Sequence, residues 1–320
     1  MAVLLTADIG GTTARFGLAR HGELRPQAVK FMPTAESPSP EAAAKQFLAE
    51  MGAEKLIGAV IAWAGHIGPG PIRLTNGPWV LDRTRFSAEL GIKNLVVIND
   101  FEAVAEAAVH LGPDDLRQVG GGPGAPRGVR VVMGPGTGLG TAMVAPVGGS
   151  GWMVLPGEGG HTNPPLAGPA EFALWPRLFG AIERPVAEDV LSGPGILRTY
   201  RALAAARGEA AVHVAPAAVC EAALGASDHT AAAALELFFT WLGRMAGDLA
   251  LIGNASGGVY IAGGIVPKYV AALESGPFRA AFEAKGRMAA FARSVPTYII
   301  MTETPALIGC AAVHAAQRAN

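Results

Sequence analysis

Val96-Val97-Ile98-Asn99-Asp100-Phe101-Glu102 joins a run of β-branched residues to two side chains that can hold and deprotonate a hydroxyl. Residues 95–98 read as a short strand, apolar on both faces and therefore buried. Asp100 follows at its carboxyl end, and residues 102–108 read as a helix with Asp100 near its cap. Ligands of open α/β sheets bind outside the carboxyl ends of the strands, so Asn99 and Asp100 stand where chemistry is usually done. A second reading stays open on this segment alone. Asp is a favoured cap residue, and Asp100 could serve only to start the helix.

Upstream, Val3-Leu4-Leu5-Thr6-Ala7-Asp8-Ile9 reads as a strand, Gly10-Gly11-Thr12-Thr13 as a tight turn, and 14–19 and 27–31 as further strands. A helix is expected from Pro40 to about Met51, with Pro in its first turn. Residues 56–64 form another apolar strand, and a Gly/Pro-rich run leads to Ile72-Arg73-Leu74-Thr75-Asn76. This βββαβ opening predicts one α/β lobe. Gly120-Gly121-Gly122-Pro123-Gly124-Ala125-Pro126 is the best linker candidate. Beyond it, 129–133, 139–145, 259–263 and 295–301 read as strands, and 171–180, 195–207, 230–253 and 306–318 as helices. The helix at 230–253 is apolar nearly all round and should be central and buried.

A chain of 320 residues is comfortable for two lobes, and a composition that is 50% hydrophobic and 16% charged is that of a globular protein. A net charge of −1 gives no electrostatic case for nucleic acid or an anionic membrane surface. Cys220 and Cys310 are the only cysteines, which makes neither a disulfide framework nor a zinc knuckle and fits a reducing cytoplasm. The N-terminus, Met1 to Asp8, has no basic region, so no signal peptide is expected. The most apolar helix carries Glu236, Arg244 and Asp248, too many charges to span a bilayer. No fixed-period repeat is visible.

Several loops carry chemistry. In Asp8-Ile9-Gly10-Gly11-Thr12, glycines admit phosphate oxygens close to backbone N–H groups, the threonine adds a donor, and Asp8 can hold Mg²⁺ through water. An ordinary hairpin turn would look the same. Gly134-Pro135-Gly136-Thr137-Gly138-Leu139-Gly140 is a second glycine loop, with neither the Walker lysine nor the dinucleotide glycine spacing. Gly157-Glu158-Gly159-Gly160-His161 sets a carboxylate and an imidazole among glycines that favour neither helix nor strand, which suits a loop pressed on a ligand or a solvated surface loop. Glu188 precedes Ser192, a candidate helix cap. Gly263-Gly264, after an apolar strand, could receive a flat nucleoside or simply end the strand.

Taken in order, Asp8-Ile9-Gly10-Gly11-Thr12, Leu74-Thr75-Asn76, Ile98-Asn99-Asp100-Phe101, Gly136-Thr137-Gly138-Leu139-Gly140, Gly157-Glu158-Gly159-Gly160-His161, Val190-Leu191-Ser192-Gly193-Pro194-Gly195 and Ile261-Ala262-Gly263-Gly264-Ile265 resemble the bacterial ATP-dependent glucokinase family of the hexokinase and actin superfamily. The resemblance implies an α/β, two-lobed, actin-like (ribonuclease H-like) sugar kinase fold with an interlobe cleft. A smaller lobe would span 1–110 plus 302–320 and a larger one 111–301. It implies Asp100 as general base and Asn76, Asn99, Glu158, His161 and Glu188 as sugar-binding residues. Asp8, Gly10, Gly11, Thr12, Gly136, Thr137, Gly138, Gly263 and Gly264 would hold ATP, with Mg²⁺ near Asp8 through water. The implied reaction is transfer of the γ-phosphoryl group to the 6-hydroxyl of glucose, the first step of glycolysis, by a cytoplasmic homodimer. Thr13 departs from the asparagine usual in the family. The zinc-binding repressor and kinase subgroup needs a cysteine cluster absent from this sequence, and no DNA-binding helix pair precedes the first strand. Two competing readings remain: a kinase for mannose or fructose, since epimers differ by one hydrogen bond, and a non-catalytic sugar sensor, against which Asp100 argues because a sensor needs no base.

Overall fold

The computed structural model describes residues 3–53 and 55–319; of the N-terminal octet read above, Met1 and Ala2 lie outside the described residues. Strand β1 (Val3–Ile9) pairs antiparallel with β2 (Thr13–Arg20), and β2 with β3 (Ala28–Pro33). Leu4, Leu5, Ala7 and Ile9 of β1 are all buried, so its apolar run is covered on both faces. Helix α1 (Pro40–Glu50) begins where Ser39 accepts the Ala42 N–H and Pro40 supplies a preset φ. Strand β4 (Leu56–Trp63) then lies parallel to β1. A two-stranded sheet, β5 (Ile72–Arg73) with β6 (Val80–Leu81), and helix α2 (Arg83–Leu90) lead to β7 (Leu95–Asn99), parallel to β4. Helix α3 (Asp100–Ala107) follows at once. The sheet order is β3-β2-β1-β4-β7. Helix α2 was not expected, because its one buried residue, Phe86, leaves no apolar periodicity; its signals are the ends, an Asp82 cap and Gly91 at φ 64°.

Residues up to Gly112, together with Thr302 onward, make this first unit, and Pro113–Met301 make a second. The second opens with β8 (Leu116–Gln118), β9 (Arg130–Pro135), β10 (Leu139–Val147) and β11 (Gly151–Gly157). The Gly/Pro run 120–126 is part of this unit rather than a linker: the Gln118 side chain donates to the Gly122 carbonyl at 2.9 Å, and Gly122 N–H to the Ser294 carbonyl. The single helix expected at 171–180 is two, α4 (Gly168–Phe172) and α5 (Trp175–Phe179), each with a proline in its first turn that restarts the backbone. Helices α6 (Gly193–Arg207), α7 (Pro216–Leu224) and α8 (His229–Ile252) follow, with α6 capped by Ser192 and α8 by Asp228. Strand β12 (Gly258–Ile261), short helices α9 (Val270–Ser275), α10 (Phe278–Glu283) and α11 (Ala289–Ser294), and β13 (Thr297–Ile300) complete it.

The core of the second unit is built on α8. Phe238, Phe239, Trp241 and Leu242 are all buried, each contributing on the order of 1.5–3 kcal/mol. Arg244, within the same helix, is neutralised by both oxygens of Glu171 at 2.6 and 2.8 Å. Among the described residues no helix is long and apolar enough to cross a membrane. The sheet order is β11-β10-β9-β12-β13-β8. Its first five strands repeat the plan of the first unit: three antiparallel strands, then two parallel ones. Helix α12 (Pro305–Ala319) returns to the first unit and packs on α3.

Candidate functional site

The parallel register β1-β4-β7 sets Ile9, Trp63 and Asn99 side by side. Asp8 and Asp100 therefore leave the same end of the sheet, two strand spacings, about 10 Å of backbone, apart. Burial raises the Asp8 carboxyl above its ordinary range, against the opposing pull of Arg15, whose Nη1 donates to Asp8 Oδ2 at 2.7 Å. Arg15 is the direct cross-strand neighbour of Asp8. The turn at Gly10, Gly11 and Thr12 is closed by the Gly10 N–H on the Thr13 carbonyl. A Cβ at Gly11 would overlap the Asn76 carbonyl, so only glycine lets this turn lie against the loop that carries Asn76. Thr12 and Asn76 are exposed.

Asn99, not Asp100, is the cap of α3. Its Oδ1 accepts the N–H groups of Phe101 and Glu102 at 2.9 and 3.3 Å, and Glu102 accepts the Asn99 N–H at 3.3 Å, a reciprocal capping box. Asp100 is the first helical residue and accepts the Phe101 N–H at 3.0 Å. Its carboxyl is pushed up to about 6, chiefly by burial and then by the negative charge of Asp8. A carboxylate tuned this near neutrality, with capping done by its neighbour, has the properties of a general base.

In the second unit, Glu158 directly precedes, and His161 ends, a 3₁₀ turn (159–161) after β11, where an irregular loop was expected. His161 Nε2 stands 3.9 Å from Glu158 Oε2, and both side chains are open to solvent. Glu188 directs Oε2 to the Leu139 N–H at 2.7 Å. Gly136 donates to the Gly138 carbonyl and accepts from Gly193; Thr137 between them is exposed. Gly263 has φ 92° and lies against the Pro135 backbone, bringing the end of β12 onto the same glycine loop, with open space beside Gly264.

Thus Asp8, the Gly10–Thr12 turn, Asn76, Asn99 and Asp100 belong to the first unit, and Glu158, His161, Glu188 and the Gly136 and Gly263 loops to the second. Sequence reading missed two residues that organise these groups. Arg15 is a cation near the start of an otherwise largely apolar strand, a signal that strand register with Asp8 could have used. Thr141, 6% exposed, accepts the Gly159 N–H at 2.8 Å and holds the turn of Glu158 and His161; a threonine in a strand carries no such signal.

The glucokinase family profile matches residues 5–318. A glucokinase of Pseudomonas aeruginosa is 41% identical over 308 residues, covering 95% of this chain and 92% of that protein. The crystal structure of a glucokinase from an Antarctic psychrotroph superposes with a TM-score of 0.85 at 34% identity, covering 97% of this chain and 98% of that one. A ROK-family glucokinase of Streptomyces griseus, solved with glucose and AMPPNP, shares the fold at a TM-score of 0.68 and 20% identity, over 98% of this chain and 99% of its own. The chain has the actin-like two-lobed fold and belongs to the glucokinase family.

Proposed function

We propose that this protein is an ATP-dependent glucokinase that transfers the γ-phosphoryl group of ATP to the 6-hydroxyl of glucose. The observation that carries the reading is Asp100: a carboxylate raised to about 6 on the first residue of a helix capped by Asn99, close enough to Asp8 to feel its charge, at the same sheet end as a glycine turn. The glucose oxygen forms a bond to the γ-phosphorus as the bond to the bridging oxygen breaks, and Asp100 takes the hydroxyl proton. Glu158, His161 and Glu188 accept or share hydrogen bonds with the sugar hydroxyls, and the amides of Asn76 and Asn99 donate. Asn99 has its Oδ1 committed to α3, and its NH₂, which donates one N–H to the Asp100 carboxylate, has a second N–H for this task. The backbone of Gly10, Gly11, Thr12, Gly136, Thr137, Gly138, Gly263 and Gly264 receives the nucleotide.

A divalent cation fits the first unit. Asp8 and Asp100 are oxygen donors near one another, and each is raised, Asp100 partly by the charge of Asp8, so a cation would relieve both. Asp8 would hold Mg²⁺ through water, and the bound ion supplies charge neutralisation for the phosphates. A homodimer in the cytoplasm completes the proposal; both cysteines being free and buried suits a reducing compartment.

A coupled assay with glucose, mannose and fructose against ATP, ADP and polyphosphate tests this reading. Turnover should be greatest with glucose and ATP, and ATP hydrolysis without sugar should be slow. Glucose binding with no turnover under any donor would make the protein a sensor instead.

A further inference from the structure

Leu139 lies between the Gly136–Gly138 loop and Thr141, which holds the turn of Glu158 and His161. It directly follows the loop Gly136–Gly138, whose shape is held by Gly136 N–H on the Gly138 carbonyl at 2.7 Å and by Gly193 N–H on the Gly136 carbonyl at 2.8 Å. The Leu139 N–H is taken by Glu188 Oε2 at 2.7 Å. Two residues on, the buried Thr141 hydroxyl accepts Gly159 N–H at 2.8 Å and donates to the Gly157 carbonyl at 3.1 Å, fixing the segment of Glu158 and His161. Glu188 reaches Leu139 across Gly138, and a Cβ at Gly138 would overlap its carboxylate. Gly138 does not have the positive φ that reserves a site for glycine, so the bare Cα serves the approach of the acid and not the backbone conformation.

A loop that holds phosphate gains nothing from a carboxylate against its own N–H groups, because the charge repels the ligand. A sugar hydroxyl donating to that carboxylate withdraws part of the charge and pins its orientation. We propose that Glu188 couples the two substrates: Oε2 holds the Leu139 N–H and with it the Gly136–Gly138 loop, Oε1 takes a sugar hydroxyl, and Gly138 is the positioning residue that leaves room for both. The proposal rests on the reading of Glu158, His161 and Glu188 as the sugar-holding set. Linkage then requires glucose to tighten nucleotide binding by the same factor as nucleotide tightens glucose.

Calorimetric titrations of ADP with and without saturating glucose, and of glucose with and without ADP, test it. In the parent, glucose should tighten ADP by about fivefold or more, the lower end of usual couplings. Gly138→Ala should weaken glucose by about tenfold to a hundredfold, the loss expected for a displaced charged partner, although its Cβ lies in the nucleotide loop. Adding Glu188→Asp, one methylene shorter, should recover part of that affinity. Glu188→Gln keeps an oxygen for Leu139 and removes the charge, so ADP should bind tighter without glucose and the coupling should fall towards one; this variant also decides the matter if Gly138→Ala does not fold. Equal ADP affinity with and without glucose in the parent, full coupling in Glu188→Gln, or a Gly138→Ala protein that loses ADP affinity alone would each overturn the proposal. Unchanged glucose affinity in Glu188→Ala would instead remove Glu188 from the sugar site, and the underlying reading would fall with it.

Discussion

The two units share a sheet plan, three antiparallel strands followed by two parallel ones, yet place opposite chemistry at corresponding turns. At the β1–β2 turn of the first unit, Asp8 is paired with Arg15 and lies near Asp100, and both acids are raised by burial. At the β9–β10 turn of the second, glycines carry no charge, and the nearby acid, Glu188, is bound to a backbone N–H. On the proposed assignments, one topology would yield a place for proton transfer and a place for holding hydroxyls and phosphates. Side chains in the turns decide which, because the sheet only aims the strand ends. Substitution of Asp100 in the first unit should therefore act on kcat, and substitutions of Glu158 and His161 in the second on KM.

The largest effect is expected at Asp100. Asp100→Asn should lower kcat by about 10²–10⁴, the usual contribution of a positioned base, while glucose affinity measured by calorimetry moves much less. The fold should survive, because Asn99 caps α3. Burial raises the folded carboxyl from 3.8 to about 6, so the ionised form costs stability as pH rises through that window, and an amide escapes the cost. A folded variant turning over at nearly the parental rate would erase the distinction between the units.

In the second unit, Glu158→Ala and His161→Ala should raise the glucose KM by about tenfold to a hundredfold, with the ATP KM far less affected. Initial-rate kinetics with each substrate varied in turn would show this, and a loss confined to kcat would place these residues with Asp100.

The pH profile sharpens the contrast further. Asp100 must be ionised to accept a proton, so kcat/KM should be level above about pH 6 and fall about tenfold per pH unit below it. Asp8→Asn removes one of the two causes of the shift and should move that limb to lower pH. A limb that stays in place in this variant would mean that the charge of Asp8 does not reach Asp100.

The smallest effect concerns the cap. Asn99→Ala should cost about 1 kcal/mol of stability, and Asn99→Ser should restore most of it, as read by denaturant unfolding. Equal midpoints for both variants and the parent would show that the capping box contributes nothing.

The strand–Asp–helix pattern at 95–108 and the glycine runs were legible in the sequence because apolar strands and glycine turns are local signals. Their order alone carried the family, since each motif is weak and the series is specific. The division of labour between adjacent polar residues was not legible. Asn and Asp are equally good caps on paper, and only the φ and ψ of Asn99, −66° and 149°, made it the cap and Asp100 the first helical residue. The repeated sheet plan was invisible because it resides in strand pairing and not in residue identity. The hold of Glu188 on Leu139, across 49 residues of sequence, belongs to tertiary structure for the same reason: a hydrogen bond to a backbone N–H leaves no mark on the residue that supplies it.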